Sequence, residues 1–161
     1  MKLLILNGPN LNLLGSREPD IYGRESYDVL CQQIYHHADT VGCAVEVFQS
    51  NHEGTLIDAI QAAQAGYSGI VINPGAYAHY SYAIYDALRA ADVPAVEVHI
   101  SDITAREPFR AVSVTAAACV KTICGHGLAG YLEAMDYLMA TASDRSDSAA
   151  PHVGCGGAAC V

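Results

Sequence analysis

The chain has 161 residues, of which 52% are hydrophobic, so its length and composition suit one globular domain with a full core. Its formal net charge of −9 argues against a general surface for nucleic acid or for an anionic membrane. No stretch approaches the ~20 apolar residues of a membrane span, and the apolar run at residues 3–6 is too short for a signal peptide. We therefore expect a cytoplasmic protein with no nucleic-acid partner and no membrane partner.

Strand-like and helix-like segments alternate along the chain. In chain order the pattern predicts strand 2–7, helix 26–41, strand 43–48, helix 55–65, strand 69–73, helix 80–91, strand 94–98, strand 118–124 and a closing helix from Leu128. Ser26 is a candidate N-cap for the first helix. Five strands that alternate with helices predict an α/β protein with helices on both faces of a parallel sheet. The default for this count is a flavodoxin-like three-layer sandwich with strand order 2-1-3-4-5.

The last residues, 143–161, break this alternation and are rich in Ser, Gly and Ala. Cys155 and Cys160 with His152 could ligate a metal there, but a flexible tail is the simpler interpretation. We therefore predict a single catalytic domain over residues 1–142, followed by a disordered tail.

The cysteines show no C-x-x-C motif and no zinc-type spacing. Reduced thiols are therefore predicted for the four cysteines within the domain, which are Cys31, Cys43, Cys119 and Cys124. This usage is typical of a cytoplasmic protein.

Three polar segments each follow a predicted strand. They are residues 10–22, 73–79 and 97–110. Because ligands of such sheets bind beyond the carboxyl ends of the strands at the switch point, the three segments are predicted to form one site. Only eight residues of the chain are Lys or Arg, and three of them fall in these segments: Arg17, Arg106 and Arg110. This clustering indicates a locally bound anion. Arg106 and Arg110 would share one face if that segment were helical.

The first segment has the length of an active-site lid. It contains Asn10, Arg17 and Tyr22. A guanidinium beside a tyrosine lowers the phenol pKa from its usual value of about 10, so Tyr22 could act as a general base. A solvated arginine and a packed tyrosine are the alternative that the spacing alone favours.

The second segment places a Pro-Gly turn directly after a buried strand. Backbone N–H groups near Gly75 can face a ligand there, with Asn73 and His79 as further donors. A surface histidine is the alternative for His79.

In the third segment, strand alternation places Glu97, His99 and Ser101 on one face. A carboxylate at Glu97 could orient the His99 imidazole and keep it protonated, which would make His99 a proton donor. The N–H groups of Ile100 and Ser101 could hold a substrate carboxylate. A solvated strand end is the alternative. Walker lysine, GxGxxG and GxSxG motifs are absent, so nucleotide binding and serine hydrolysis have no specific support.

Taken in order, these segments resemble the type II 3-dehydroquinate dehydratases over residues 2–140. The matching pieces are residues 6–11 (LNGPNL), 14–15, 17–19, 21–23, 73–77 (NPGAY), His79, residues 97–101 (EVHIS), 106–107, 109–110 and 130–132. The resemblance implies a hydro-lyase that reversibly eliminates water in the anti sense from 3-dehydroquinate, through an enolate, to give 3-dehydroshikimate. It also implies a flavodoxin-like fold, a homododecamer built from trimers, and no metal or organic cofactor. The reaction would serve the shikimate pathway toward aromatic amino acids, or quinate catabolism.

The resemblance further implies a role for each site residue. Tyr22 would take the C2 proton, and Arg17 would keep Tyr22 ionisable. Asn10 would position a water that stabilises the enolate. His99, oriented by Glu97, would protonate the leaving C1 hydroxyl. The implied substrate-binding residues are Asn73, Gly75, His79, Asp86, Ile100, Ser101, Arg106 and Arg110. Asp86 would reach the site of a neighbouring subunit within the trimer.

The chain departs from the usual family pattern at a few places. Thr is usual where Ala78 and Tyr80 stand, Arg where Tyr85 stands, and Phe is common where His126 stands. A His-Ser-Tyr-like run is replaced over residues 112–119. None of these changes removes an implied catalytic group, although a non-catalytic anion-binding relative on the same fold is an alternative.

Overall fold

The structure, a computed structural model, describes residues 1–16 and 25–148, without the side chains of 143–148. In chain order its main elements are β1 Lys2–Asn7, α1 Tyr27–Val41, β2 Ala44–Gln49, α2 Glu53–Ala62, β3 Gly69–Asn73, α3 Tyr82–Ala90, β4 Ala95–His99, β5 Lys121–Cys124 and α4 Ala129–Ser148. Short 3-10 helices fill several of the connections.

The five strands form one parallel sheet in the order β2-β1-β3-β4-β5. The predicted flavodoxin-like α/β sandwich and its strand order are therefore confirmed. Parallel strands need crossover connections, and the intervening helices supply them.

Alternation along β1 divides the core into two layers. Leu3 and Ile5 pack on one face of the sheet with the buried stripes of α1 and α4. Leu4 and Leu6 point to the other face and pack with α2 and α3. Successive side chains of a strand point to opposite faces, so the near-continuous apolar run of β1 serves both layers.

The helix boundaries follow from local capping. Ser26 is the N-cap of α1, as predicted, and its Oγ accepts a hydrogen bond from the Val29 N–H at 3.3 Å. Ser81 caps α3 in the same way, with a 2.9 Å bond from Ile84. This cap explains why α3 begins at Tyr82 rather than at residue 80.

At the far end of the domain, α4 runs to Ser148, six residues past the predicted boundary at 142. No Gly or Pro in residues 143–148 interrupts the helix, which explains its extension. Residues 149–161, including His152, Cys155 and Cys160, lie outside the described residues, so the disordered tail stays a prediction.

None of the helices in the described residues has the length and apolar character that a membrane span requires. The four cysteines predicted to be reduced are free thiols: Cys31, Cys43, Cys119 and Cys124.

Candidate active site

The carboxyl ends of β1, β3 and β4 meet at one edge of the sheet, and a pocket lies beyond them. Asn7, Asn73 and His99 are the last residues of these strands, and Asn7 pairs directly with Asn73. Nine of the predicted site residues line this pocket: Asn10, Asn73, Gly75, His79, His99, Ile100, Ser101, Arg106 and Arg110. The three polar segments therefore contribute to one pocket, as their positions after these strands predict.

A buried histidine–glutamate pair lies at the base of the pocket. His99 Nε2 is 2.7 Å from Glu97 Oε1, with His99 5% exposed and Glu97 fully buried. Two hydroxyl groups also donate to this carboxylate, Ser113 Oγ to Oε1 at 2.6 Å and Thr115 Oγ1 to Oε2 at 2.5 Å. A buried carboxylate needs such donors. The sequence indicated that need at Glu97, but it did not indicate that Ser113 and Thr115 would meet it.

His79 is held above His99 with a defined tautomer. Its Nδ1 lies 2.9 Å from the carbonyl oxygen of Val112, and the two imidazole rings stack with centroids 6.4 Å apart and planes 17° apart. A carbonyl oxygen only accepts hydrogen bonds, so Nδ1 carries a hydrogen and Nε2 is left for the pocket. Phe109 contacts the same ring edge to face, with centroids 6.4 Å apart.

The turn at the end of β3 approaches the turn at the end of β1 very closely. A Cβ atom on Gly8 would lie 2.3 Å from the Pro74 carbonyl oxygen, and Gly75, at φ 60°, packs against Pro9. The Gly8 N–H donates to the Asn73 carbonyl at 2.8 Å. Glycine at both positions is therefore a geometric requirement of the pocket wall.

Asn73 belongs to a buried polar network. Its Oδ1 accepts from the Gly75 N–H at 3.2 Å, and its Nδ2 donates to the Tyr131 hydroxyl at 2.9 Å. That hydroxyl donates in turn to Asn7 Oδ1 at 2.7 Å. Burial raises the pKa of Tyr131 far above its usual value, so the hydroxyl stays neutral. An amide nitrogen carries two hydrogens, and Asn73 can direct the second into the pocket.

The segment after β4, which contains two short 3-10 helices, supplies the cationic side of the pocket. Arg106 and Arg110 have side chains only 11% and 17% exposed, and their Nε atoms lie 3.6 and 2.9 Å from Glu107 Oε2. They do not share one helix, because Pro108 starts a separate 3-10 turn after Arg106. Both arginines nevertheless line the pocket, and they share Glu107 as a carboxylate partner.

The backbone between Arg106 and the strand is fixed from the neighbouring loop. Gly125 N–H donates to the His99 carbonyl and Gly127 N–H to the Ile100 carbonyl, each at 3.1 Å. These bonds hold the chain where Ile100 and Ser101 line the pocket.

Asn10 opens the first loop with left-handed backbone geometry. Its φ is 67°, a region that Asn tolerates better than most residues, and its N–H donates to Asn51 Oδ1 at 3.0 Å. Arg17 and Tyr22 lie outside the described residues. Asp86 is exposed on α3 and is not among the described residues that line this pocket. The roles of these three residues stay predictions.

The fold and the pocket define a flavodoxin-like α/β protein with a buried histidine–carboxylate pair and two arginines that line the pocket. Residues 1–139 match the family described as dehydroquinase class II, and the chain belongs to that family.

Relatives with about half of their residues identical carry one name. The 3-dehydroquinate dehydratase of Clostridium acetobutylicum is 54% identical over 132 residues, covering 82% of this chain and 92% of the relative. That of Thermotoga neapolitana is 52% identical over 146 residues, covering 91% and 99%. The crystal structure of type II dehydroquinase from Butyrivibrio crossotus is 52% identical, covers 86% of this chain and 97% of that one, and superposes with a TM-score of 0.85.

Proposed function

We propose that this chain is a 3-dehydroquinate dehydratase, a hydro-lyase that reversibly converts 3-dehydroquinate into 3-dehydroshikimate. The observation that carries the proposal is the buried pair His99–Glu97, 2.7 Å apart, at the base of a pocket that Arg106 and Arg110 also line. The dehydration of an anionic hydroxy ketone uses an acid for the leaving hydroxyl group and cationic groups for the substrate's negative charge, together with a base for the C2 proton. The name carried by relatives about half identical to the chain supports the same reaction.

The pocket offers donors to each polar part of the substrate. The N–H groups of Ile100 and Ser101, with the second amide hydrogen of Asn73, bind the substrate carboxylate. His79 and Arg110 hold the ring hydroxyl groups. Arg106 adds positive charge to the cationic wall.

The reaction proceeds by anti elimination through an enolate. The Tyr22 phenolate, kept ionised by Arg17, takes the C2 proton, and the electron pair of the C–H bond moves into the enolate. A water held by Asn10 stabilises the enolate oxygen. The enolate then collapses, the C1–O bond breaks, and His99 protonates the departing hydroxyl group, so water and the conjugated enone are the products. Glu97 keeps the imidazole oriented for this transfer.

Assembly and location extend the proposal. The resemblance to the family supports a dodecamer built from trimers, with Asp86 reaching the pocket of a neighbouring subunit. The exposed rings of Tyr80 and Tyr82, 59% and 68% accessible in the single chain, lie just before and at the start of the same helix and fit a subunit contact. A cytoplasmic location agrees with the free thiols within the described residues.

The deciding experiment is to mix the purified protein with 3-dehydroquinate and follow the ultraviolet absorbance of the conjugated enone. We expect a steady rise with the wild type and a rise at least about 100-fold slower with His99→Asn, because general acid catalysis contributes roughly that much. Titration of dehydroquinate into both proteins shows whether binding persists. Binding by the wild type without any absorbance change would refute the proposed activity and favour a non-catalytic anion-binding protein.

A further inference from the structure

The Glu97 carboxylate is fully buried and receives hydrogen bonds on both oxygens. Oε1 accepts from His99 Nε2 and from Ser113 Oγ, and Oε2 accepts from Thr115 Oγ1. A buried carboxylate without donors is costly, and carboxylates that keep their charge in protein interiors are held in this way. Two of these three donors come from outside the strand that carries the pair.

The segment that supplies the two hydroxyl groups is itself firmly attached. Ser113 Oγ accepts from the Ala116 N–H at 3.2 Å while it donates to Glu97. The Val114 N–H donates to the Ala78 carbonyl at 2.8 Å, next to His79. Ser113 Oγ therefore accepts from a backbone N–H of the following 3-10 turn, Thr115–Ala118, and directs its hydrogen to the carboxylate. Thr115 is fully buried, so its hydroxyl is held against Glu97.

We propose that Ser113 and Thr115 are positioning residues for proton transfer, acting through Glu97 on His99. Their hydroxyl groups fix the position of the Glu97 carboxylate. The carboxylate in turn fixes the His99 ring through Nε2, which leaves the other ring nitrogen free to transfer a proton in the pocket. The inference rests on the proposed role of His99 as the acid, and it assigns a task to residues that do not line the pocket.

The thiols near Glu97 do not compete for this task. Burial first, and then the negative charge of Glu97, raises the pKa of Cys119 to about 12, and the same two causes raise the pKa of Cys124. Both thiols therefore stay protonated and neutral near pH 7.

The test compares Thr115→Val with Thr115→Ser. Valine keeps the shape of threonine but removes the hydroxyl, whereas serine keeps the hydroxyl and removes only a methyl group. We expect Thr115→Val to lower kcat about 10- to 100-fold, by analogy with the loss of a side chain that orients a metal-bound histidine. KM should stay within about twofold because no substrate contact changes. We expect Thr115→Ser to retain kcat within about threefold. Ser113→Ala provides a second, independent removal of a donor if Thr115→Val does not fold.

A double-mutant cycle separates positioning from general damage. In a His99→Asn background, Thr115→Val and Ser113→Ala should change the residual kcat by less than about twofold, because residues that act as one unit are not additive. An equal loss of kcat in both backgrounds, or a loss that appears in KM alone, would overturn the inference. If His99→Asn itself keeps wild-type turnover, His99 is not the acid and the proposed mechanism is wrong. That outcome differs from equal losses of kcat in both backgrounds, which would overturn only the positioning role of Ser113 and Thr115.

Discussion

Asn73 donates a hydrogen bond to the buried hydroxyl of Tyr131 at 2.9 Å, which links the pocket to the closing helix. The same hydroxyl donates to Asn7 at 2.7 Å, so one phenol joins the ends of β1 and β3. Tyr131 is fully buried and its ring fills the core layer under α4. One side chain therefore serves the core with its ring and the pocket with its hydroxyl.

Tyr131→Phe tests this link. The ring stays, but two buried amide side chains lose a partner, and each unsatisfied buried group costs about 1–3 kcal/mol. We expect the free energy of unfolding to fall by at least that amount in urea titrations, and KM to rise because Asn73 loses its anchor. Tyr35→Phe is the matched control: its side chain is 47% exposed on α1, so a change below about 0.5 kcal/mol is expected. Equal effects of the two substitutions would contradict the assignment.

Gly8→Ala should damage the domain although it adds one methyl group. The new Cβ would lie 2.3 Å from the Pro74 carbonyl oxygen, and backbone atoms cannot move aside as a flexible side chain does. We expect a loss of about 1–3 kcal/mol or more in the free energy of unfolding, together with weaker dehydroquinate binding.

Gly54→Ala is the control for that experiment. Gly54 lies in α2 with no heavy atom within 4 Å of an added Cβ. Alanine in a helix is favoured over glycine by about 0.5–1 kcal/mol, so this variant should be slightly more stable. Destabilisation of similar size at both positions would show that the close approach at Gly8 is not the cause.

Tyr22→Phe tests the proposed base, which lies outside the described residues. Phenylalanine keeps the ring but cannot accept the C2 proton. We expect kcat to fall about 100- to 10,000-fold with a modest change in KM, because the phenolate acts only in the chemical step. Wild-type turnover by this variant would show that another group is the base, whereas His99→Asn would still report on the acid.

Cys119 provides a pH-dependent prediction. Burial, followed by the charge of Glu97, raises its pKa from 9.0 to about 12. Between about pH 9 and pH 12 the Cys119 thiol is therefore protonated in the folded protein but ionised in the unfolded chain. Its contribution to the free energy of unfolding is fully present below about pH 9 and is lost as the pH rises toward 12. Cys119→Ala should therefore weaken the fall in melting temperature between pH 8 and pH 10.

The rate of alkylation tests the reactivity of the Cys119 thiol directly. At pH 8.5, iodoacetamide should modify Cys119 far more slowly in the folded protein than in urea, as peptide mass spectrometry would show, because the thiolate is the nucleophile. Equal rates in the two states would contradict the raised pKa.

The strand order and the location of the pocket follow from local sequence patterns. Short apolar runs separated by amphipathic segments define the sheet, and strand ends at Asn73 and His99 place the polar segments at one edge. Such patterns indicate that a buried polar side chain requires a hydrogen-bond partner, but they do not identify the distant residue that provides it. Ser113 and Thr115 lie 16 and 18 positions from Glu97, and periodicity gives no sign of that contact.

Tyr131 is a second residue whose burial follows from local periodicity but whose hydrogen-bond partner does not. Helical periodicity places its ring inward on α4, which is what the structure shows. Its hydrogen bond to Asn7 joins residues 124 positions apart, and no local rule selects that partner. The extension of α4 to Ser148 is likewise not indicated by the composition of residues 143–161, which are rich in Ser, Gly and Ala, although nothing in residues 143–148 breaks a helix.

The pairing of Asn7 with Asn73 at the joint end of the two central strands has a consequence for protection against hydrogen exchange. The pocket is intact only while β1, β3 and β4 are paired to their last residues, so a bound anion must suppress openings of the whole central sheet. Ligand should therefore slow hydrogen exchange at the amides of the buried strands, which already exchange slowly. It should also slow exchange at the amides of the loops that contact the ligand. In this fold, exchange of the same strand amide hydrogens reports both ligand binding and the stability of the central sheet.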